Sequence, residues 1–335
     1  MSRVTFIIPA YNVEKYLPEA LDAVIAQSES DWKLIIADDC SSDDTASIAK
    51  EYARRDNRIR VIRMKTQSGG AYLPREYAIR EADTEFVAPL DADDSIGPDY
   101  LRNLLSAQTR NDGDIVYPVM YRWDGTNSHL IESINPELIS MTLPGKDCVK
   151  FTLDGWQIHC NGGLIRRGLY LKAFDEIDID GFYGIRSYID EYMTRVLLYN
   201  AGKVSICNEP YYYRDNQDSV TYQFNFKAFG RLTNNLRLLS FIGKHYPKDS
   251  DTYTAEQIHN FHTIFDAMRL LRDTRLSKGE YEAVRECIIK CEKGADLRLL
   301  RGKVSRKYLL LSYLPYGLRR RVLNLIDRML GIKRI

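Results

Sequence analysis

Two rhythms of apolar and polar positions alternate over the first hundred residues. Val4-Thr5-Phe6-Ile7-Ile8, Leu34-Ile35-Ile36-Ala37, Arg60-Val61-Ile62 and Glu85-Phe86-Val87-Ala88 are short apolar runs that read as four buried strands, the first stopped by Pro9. Between them the apolar residues recur at helical spacing. Leu17, Leu21, Val24 and Ile25 share one face of a helix over 14–28, a second helix runs from Thr45 to Arg55 behind the capping oxygens of Ser41, Ser42 and Asp43, and a third covers 71–82. Strand-helix alternation at this spacing predicts βαβ units and a parallel sheet, an α/β fold that binds ligands at the carboxyl ends of its strands.

The pattern loosens after residue 96. A helix near 98–110, a strand over Asp114-Ile115-Val116-Tyr117 and a helix from Asp190 to Asn200 are legible. From 225 the periodicity is helical, with breaks at Tyr246-Pro247 and at Ser277-Lys278-Gly279. Four segments are expected: a nucleotide-binding half (1–95), a second half of the same domain that carries the acceptor site (96–224), a helical extension (225–300) and a basic tail (301–335).

Composition adds three constraints. The chain has 335 residues, enough for two structural parts, and 44% hydrophobic with 28% charged residues, as globular proteins do. Its six cysteines (Cys40, Cys148, Cys160, Cys207, Cys287 and Cys291) form no C-x-x-C pair, and no secretory segment precedes the first strand, so a reduced, cytoplasmic setting is expected. The net charge of +1 is uneven: residues 301–335 hold ten Lys and Arg against one acid, a net +9, so the remainder is mildly acidic. No stretch reaches the roughly 18 uninterrupted apolar residues of a membrane span.

Candidate chemistry lies in three loops, each directly after a strand. Asp91, Asp93 and Asp94 put three carboxylates within four residues, where repulsion would be relieved by a hard divalent cation, Mg2+ or Mn2+, shared with substrate phosphates. A solvated acidic turn capping the next helix is the plainer alternative. Asp38 and Asp39 follow the second strand too early to cap the helix, and could accept hydrogen bonds from a base or ribose. Tyr11, after the first strand, could stack on a nucleobase. Neither G-x-G-x-x-G nor a P-loop occurs, which excludes the common dinucleotide and Walker-type sites.

Taken in order, "FIIPAYNVEKYLPEALDAVIAQS", "LIIADDCSSDDT" and "EFVAPLDADD" resemble the three hallmarks of the inverting glycosyltransferase family 2, which has the GT-A fold and includes bacterial capsule and lipopolysaccharide sugar transferases. "SGGAYLPREYAIREA" is similar to the family's Gly-rich stretch, and "CNGGLIRRGLY", "YIDEYMTRVLLYNAGK" and "YYYRDNQDSVT" extend the match more weakly. The resemblance implies a metal-dependent transferase that moves a sugar from a nucleoside diphosphate donor, expected to be a UDP-sugar, to an acceptor hydroxyl in surface polysaccharide or glycolipid assembly. It places Pro9, Tyr11 and Glu14 along the base and ribose, Asp39 on the base, Arg75 on the donor, Asp91 towards the ribose, Asp93 on the cation and Arg214 near the diphosphate. For the base it offers Asp190, with Glu191 as the alternative. The acceptor region is expected around Trp156, His159 and Asn161 to Arg186.

Three departures stand out: Cys40 in place of a Gly, Glu76 in place of an Asn, and Ile189 in place of the Glu of a Glu-Asp pair. The Q-x-x-R-W signature of processive synthases is absent, which points to single transfers. A sugar nucleotidyltransferase and a non-catalytic sugar-nucleotide-binding protein are the alternatives.

In the tail, Val322, Leu325, Ile326, Met329 and Leu330 recur at i, i+3, i+4, i+7, i+8 among arginines. A basic amphipathic helix is expected there, able to lie on the anionic inner face of a membrane beside a saccharide or lipid-linked acceptor. Packing against the protein's own surface is the alternative, and nucleic-acid binding is not expected.

Overall fold

The computed structural model describes residues 2–131, 136–155, 162–177, 187–216 and 225–329. By contact density the chain forms two compact units: one of residues 1–178 and 193–217, the other of 179–192 and 218–335. Trp156, His159, Asn161 and Arg186 of the expected acceptor region, and Leu330 of the tail stripe, lie outside the described residues.

The first unit is built on strands β1 (Val4–Ala10), β2 (Trp32–Asp38), β3 (Ile59–Arg63), β4 (Phe86–Pro89), β5 (Ser95–Ile96), β6 (Ile115–Trp123), β7 (Ser128–Leu130), β8 (Thr142–Pro144), β9 (Leu164–Arg166) and β10 (Lys203–Arg214). Helices α1 (Leu17–Ile25), α2 (Thr45–Arg55), α3 (Tyr72–Glu81), α4 (Tyr100–Asn111), α5 (Gly145–Leu153) and α6 (Arg167–Glu176) connect them, and α7 (Ile189–Asn200) leads into β10. The sheet runs β3-β2-β1-β4-β9-β6-β10-β5, with β7 on β6 and β8 on β10. Pairing is parallel from β3 to β4 and again between β6 and β10, while β9 and β5 run antiparallel. This is the expected α/β sheet flanked by helices.

Every residue of β1 is buried, because helices cover both faces of a parallel sheet. The register aligns Ala10 with Asp38 and Ile7 with Pro89, so the loops after β1, β2 and β4 leave the sheet side by side. Asn12 and Cys40, in the first two of these loops, have φ of 50° and 63°. The left-handed backbone at Cys40 explains why a glycine suits this position: a side chain is strained there. The Cys40 thiol donates to the Met64 carbonyl at 3.0 Å.

The second unit is helical: α8 (Gly230–His245), α9 (Asp251–Asp273), α10 (Lys278–Lys293), α11 (Arg306–Leu311) and α12 (Tyr316–Met329). Ser277 and Glu280 form a capping box at the start of α10, where the sequence breaks its helical pattern. Phe265, Met268, Ile288, Leu300 and Leu323 belong to one buried cluster. Val322 and Ile326 pack against this cluster, so part of the stripe expected to face a membrane points inward, whereas Leu325 is 59% exposed. Among the described residues no helix is long and apolar enough to cross a membrane.

The strain at Cys40 makes a prediction. Cys40→Val, which places a β-branched residue at positive φ, should lower stability by about 1–3 kcal/mol. Cys40→Gly should fall within about 1 kcal/mol of the parent, because relief of strain offsets the added freedom of the unfolded chain. Urea titrations of the three proteins measure the difference. Equal midpoints for Cys40→Val and Cys40→Gly would show that the turn is not strained.

Candidate active site

The β1–α1 and β2–α2 loops are laced together. Asn12 N–H donates to the Ser41 hydroxyl at 3.1 Å, the Asn12 side-chain carbonyl accepts from Ser42 N–H at 2.8 Å, and Val13 N–H donates to Thr45 Oγ1 at 2.8 Å. Glu14 accepts from Asp44 N–H at 2.8 Å, and Asp43 accepts from Glu14 N–H at 3.1 Å and Thr45 N–H at 3.0 Å. The N-cap residue of α2 is Asp44, whose side chain makes no capping bond; Asp43 instead satisfies the Thr45 N–H from one residue earlier, and Glu14, which the resemblance puts beside the ribose, also satisfies a backbone donor there. Pro9 is buried in β1, and Tyr11 stands 43% exposed at its end.

Asp38 and Asp39 are both buried. Asp38 accepts from Ser41 N–H at 3.0 Å and lies 3.4 Å from the Arg63 guanidinium. Asp39 receives Ser68 N–H at 2.8 Å and the Ser68 hydroxyl at 2.8 Å, which ties it to the β3–α3 loop. The first turn of α3 places Arg75, 3% exposed, 3.0 Å from a carboxylate oxygen of Asp91. Asp39 is thus held by the β3–α3 loop, and Arg75, in the first turn of α3, meets the acidic loop after β4.

Within that loop the three carboxylates have separate fates. Asp94 is 2% exposed, takes the Tyr211 hydroxyl at 2.6 Å and accepts Arg214 N–H at 2.9 Å. Tyr211 Oη in turn accepts Asp91 N–H at 3.3 Å. Burial first, then the charges of Asp93 and Asp91, push the Asp94 pKa well above the usual carboxylate range, outweighing the two hydrogen bonds that favour the ion. The three acids expected to share one cation are therefore not equivalent. One of the three withdraws into the core, and Asp91 and Asp93 remain partly exposed.

Arg214, at the end of β10, returns to the same loop. Its Nε donates to the Asp93 carbonyl at 2.7 Å, its terminal nitrogen pairs with Glu19, and its guanidinium stacks 4.2 Å above Trp123 and 5.2 Å from Tyr16. Asn216 donates its amide to Asp93 Oδ2 at 2.9 Å. Sequence reasoning missed Ser68, Tyr211, Asn216 and Glu19. Tyr211 and Asn216 lay within the resembling "YYYRDNQDSVT", but their partner is more than a hundred residues away.

Asp91 and Asp93 are hard oxygen donors, each oriented by a neighbouring nitrogen. Such a pair fits a Mg2+ or Mn2+ that takes most of its ligands from phosphate and water. Among the described residues no group of three or more His, Cys, Asp and Glu is placed to hold a cation by protein ligands alone.

Asp190 and Glu191 occupy the first turn of α7 and belong to the second unit. Both are partly exposed, and Glu191 lies 3.8 Å from the Arg231 guanidinium, which itself stacks 4.8 Å from Tyr188.

Known proteins share this fold. Over 217 residues the chain is 26% identical to the poly(ribitol-phosphate) beta-N-acetylglucosaminyltransferase TarS of Staphylococcus aureus, a match covering 64% of this chain and 35% of TarS. It is 38% identical over 102 residues to the putative teichuronic acid biosynthesis glycosyltransferase TuaG of Bacillus subtilis, covering 30% of this chain and 40% of the relative. The chain thus spans about a third of the length of TarS. The crystal structure of S. aureus TarS 1-349 in complex with UDP superposes with a TM-score of 0.70 at 19% identity, over 98% of this chain and 92% of that one. A mannosyltransferase from Pyrobaculum calidifontis in complex with GDP-Man and Mn2+ gives 0.55 at 15% identity, over 97% and 87% of the two chains. Residues 5–178 match the family described as glycosyl transferase family 2, and the chain belongs to that family.

Proposed function

We propose that this chain transfers a sugar from a UDP-sugar to an acceptor hydroxyl in cell-surface polymer assembly, with inversion at the anomeric carbon. The observation that carries the reading is the contact of Arg75 with Asp91 in the loop after β4, which leaves the sheet beside the loops of Tyr11 and Asp39, in a member of glycosyl transferase family 2. TarS, whose fold this chain shares, has been solved with UDP and with UDP-GlcNAc, which favours uridine. No observation favours the nucleotidyltransferase or non-catalytic alternatives.

In this reading Tyr11 offers its exposed ring to the base, Asp39 accepts from it, and Arg75 and Arg214 set positive charge near the diphosphate. Asp190 takes the proton of the acceptor hydroxyl. The oxygen's electron pair then forms the new bond at the anomeric carbon as the bond to the diphosphate breaks and the nucleoside diphosphate leaves. A general base contributes about 10²–10⁴-fold in rate. The family resemblance aligns Asp190 with the base, which favours it over Glu191 for the role. Asp93, with Asp91, would hold Mn2+ or Mg2+, which supplies positive charge against the leaving diphosphate when bound. The solved mannosyltransferase of similar fold carries Mn2+ with its nucleotide sugar. Peripheral contact of residues 301–335 with the anionic inner face of a membrane, near a saccharide or lipid-linked acceptor, completes the proposal.

Two measurements test it. Calorimetric titration with UDP should give binding that weakens at least about tenfold when the divalent cation is chelated, and by a similar factor in Asp93→Ala. Equal affinity in EDTA would remove the cation from the reading.

Asp190→Asn should fold and bind UDP like the parent yet turn over at least about a hundredfold more slowly, because a lost base acts on the chemical step. A full loss in Glu191→Gln with Asp190→Asn active would move the base by one residue.

A further inference from the structure

The second unit presents a surface that neither the transfer chemistry nor its own packing uses. Among the described residues nine large hydrophobic side chains are substantially exposed, and four of them, Leu310, Tyr313, Leu318 and Leu325, fall within residues 310–325. Leu310 is 60% and Tyr313 55% exposed. They help line a groove of about 430 Å³ between the turn at 301–304 and α11, together with Val304, Leu309, Arg301 and Arg306.

The cations of this region divide into two sets. Arg319 is buried against Glu292, and Arg320 donates to the Tyr281 hydroxyl at 2.8 Å, so these two serve the packing of the helices. Arg301, Lys303, Arg306 and Arg321 are exposed and, among the described residues, pair with no acid. No acid occurs in the sequence from Arg301 to Ile326. An exposed apolar groove walled by unneutralised guanidinium groups matches an amphiphile with an anionic head. A second copy of the chain would set this net positive segment against its own like charge in a twofold contact.

We propose that the surface formed by Arg301, Arg306, Leu310 and Tyr313 docks onto an anionic phospholipid bilayer. The guanidinium groups meet lipid phosphates, Leu310 and Tyr313 enter the boundary between headgroups and acyl chains, and the groove receives part of one chain. This names the face that makes the membrane contact proposed above, and it differs from the stripe read from sequence, whose Val322 and Ile326 pack inward.

The test is co-sedimentation of the full chain with vesicles of phosphatidylcholine alone or with equimolar phosphatidylglycerol, at low and high salt. The parent should sediment only with the anionic vesicles and less at high salt. R301E/R306E should reduce the bound fraction's partition at least about tenfold, and L310S/Y313S should reduce it at both salt concentrations. K50E/R54E on α2, which changes net charge by the same amount in the first unit, should leave it unaltered. Parent-like melting and UDP binding of R301E/R306E will show that this variant folds. Unchanged sedimentation of R301E/R306E, an equal loss in K50E/R54E, or a parent that stays in the supernatant would each overturn the docking surface. So would concentration-dependent dimerisation that R301E/R306E abolishes, which would assign the face to a second copy. Sugar transfer by a parent that ignores vesicles would sink the docking alone, and docking by a chain that binds no UDP would sink the donor reading alone.

Discussion

The buried carboxyl of Asp94 ties the first unit's site together. Its loop leaves a central parallel strand with three acids in four residues, and the sheet has no place for three charges there. Turning Asp94 inward gives it the Tyr211 hydroxyl and the Arg214 amide, and both donors belong to β10, so the acidic loop is pinned to a strand about 120 residues later in the chain. A buried carboxyl is tolerated only when it is hydrogen-bonded, and these two donors meet that condition. Once β10 is fixed, its last residue sends a guanidinium back to the Asp93 carbonyl, and Asn216 follows with an amide to the Asp93 carboxylate. Asp93 is oriented through its neighbour's burial, and Tyr211 also holds the backbone of Asp91.

That arrangement explains what could be read in the sequence. The strands β1 to β4 and the helices between them were legible because fully buried strands and amphipathic helices each leave a local pattern. The order of polar loops after them was legible for the same reason. Asp39, Asp91 and Asp93 follow strands that end at one edge of the parallel sheet, which the alternation of elements already implies. Tyr211, Asn216 and Ser68 were not legible as site residues, because each acts on a partner brought near only by the folded sheet. Cys40 is an intermediate case: its departure from a glycine is visible in the sequence, but its meaning, a left-handed backbone at 63°, is a fact of the loop.

The acids at the start of α7 sit in a different physical setting. Carboxylates in a first helical turn complement the partial positive charge of exposed backbone N–H groups, so Asp190 and Glu191 suit their positions as helix residues before any chemistry is asked of them. The acidic loop after β4 differs: Asp91 meets Arg75 and Asp93 meets Asn216, partners that come from other parts of the chain. In the proposed reading, the acids assigned to the donor and those assigned to the base therefore differ in what holds them, and substitutions at the two places should disturb different quantities, donor affinity for the first and turnover for the second.

The C-terminal helix shows how a correct periodicity can still misplace a face. At about 100° per residue, Val322, Leu325, Ile326 and Met329 define an apolar stripe, and lipid was the partner expected for it. The face that the protein buries is centred instead on Arg319, Leu323 and Asp327, one turn apart from one another and 6%, 0% and 0% exposed. Two of these three are charged, and a reading by hydropathy assigns them to solvent. They are buried because each meets its counter-ions: Arg319 meets Glu292, while Asp327 lies 3.2 Å from Arg269 and 3.6 Å from Arg272. Paired and hydrogen-bonded ions can enter a core that rejects isolated ones. They rotate the helix so that Val322 and Ile326 flank the buried face, while Leu318, Arg321 and Leu325, spaced i, i+3 and i+7, are left on the outside. The apolar residues that face solvent, Leu318 and Leu325, thus lie on the side away from the ion pairs, together with Arg321, which among the described residues pairs with no acid.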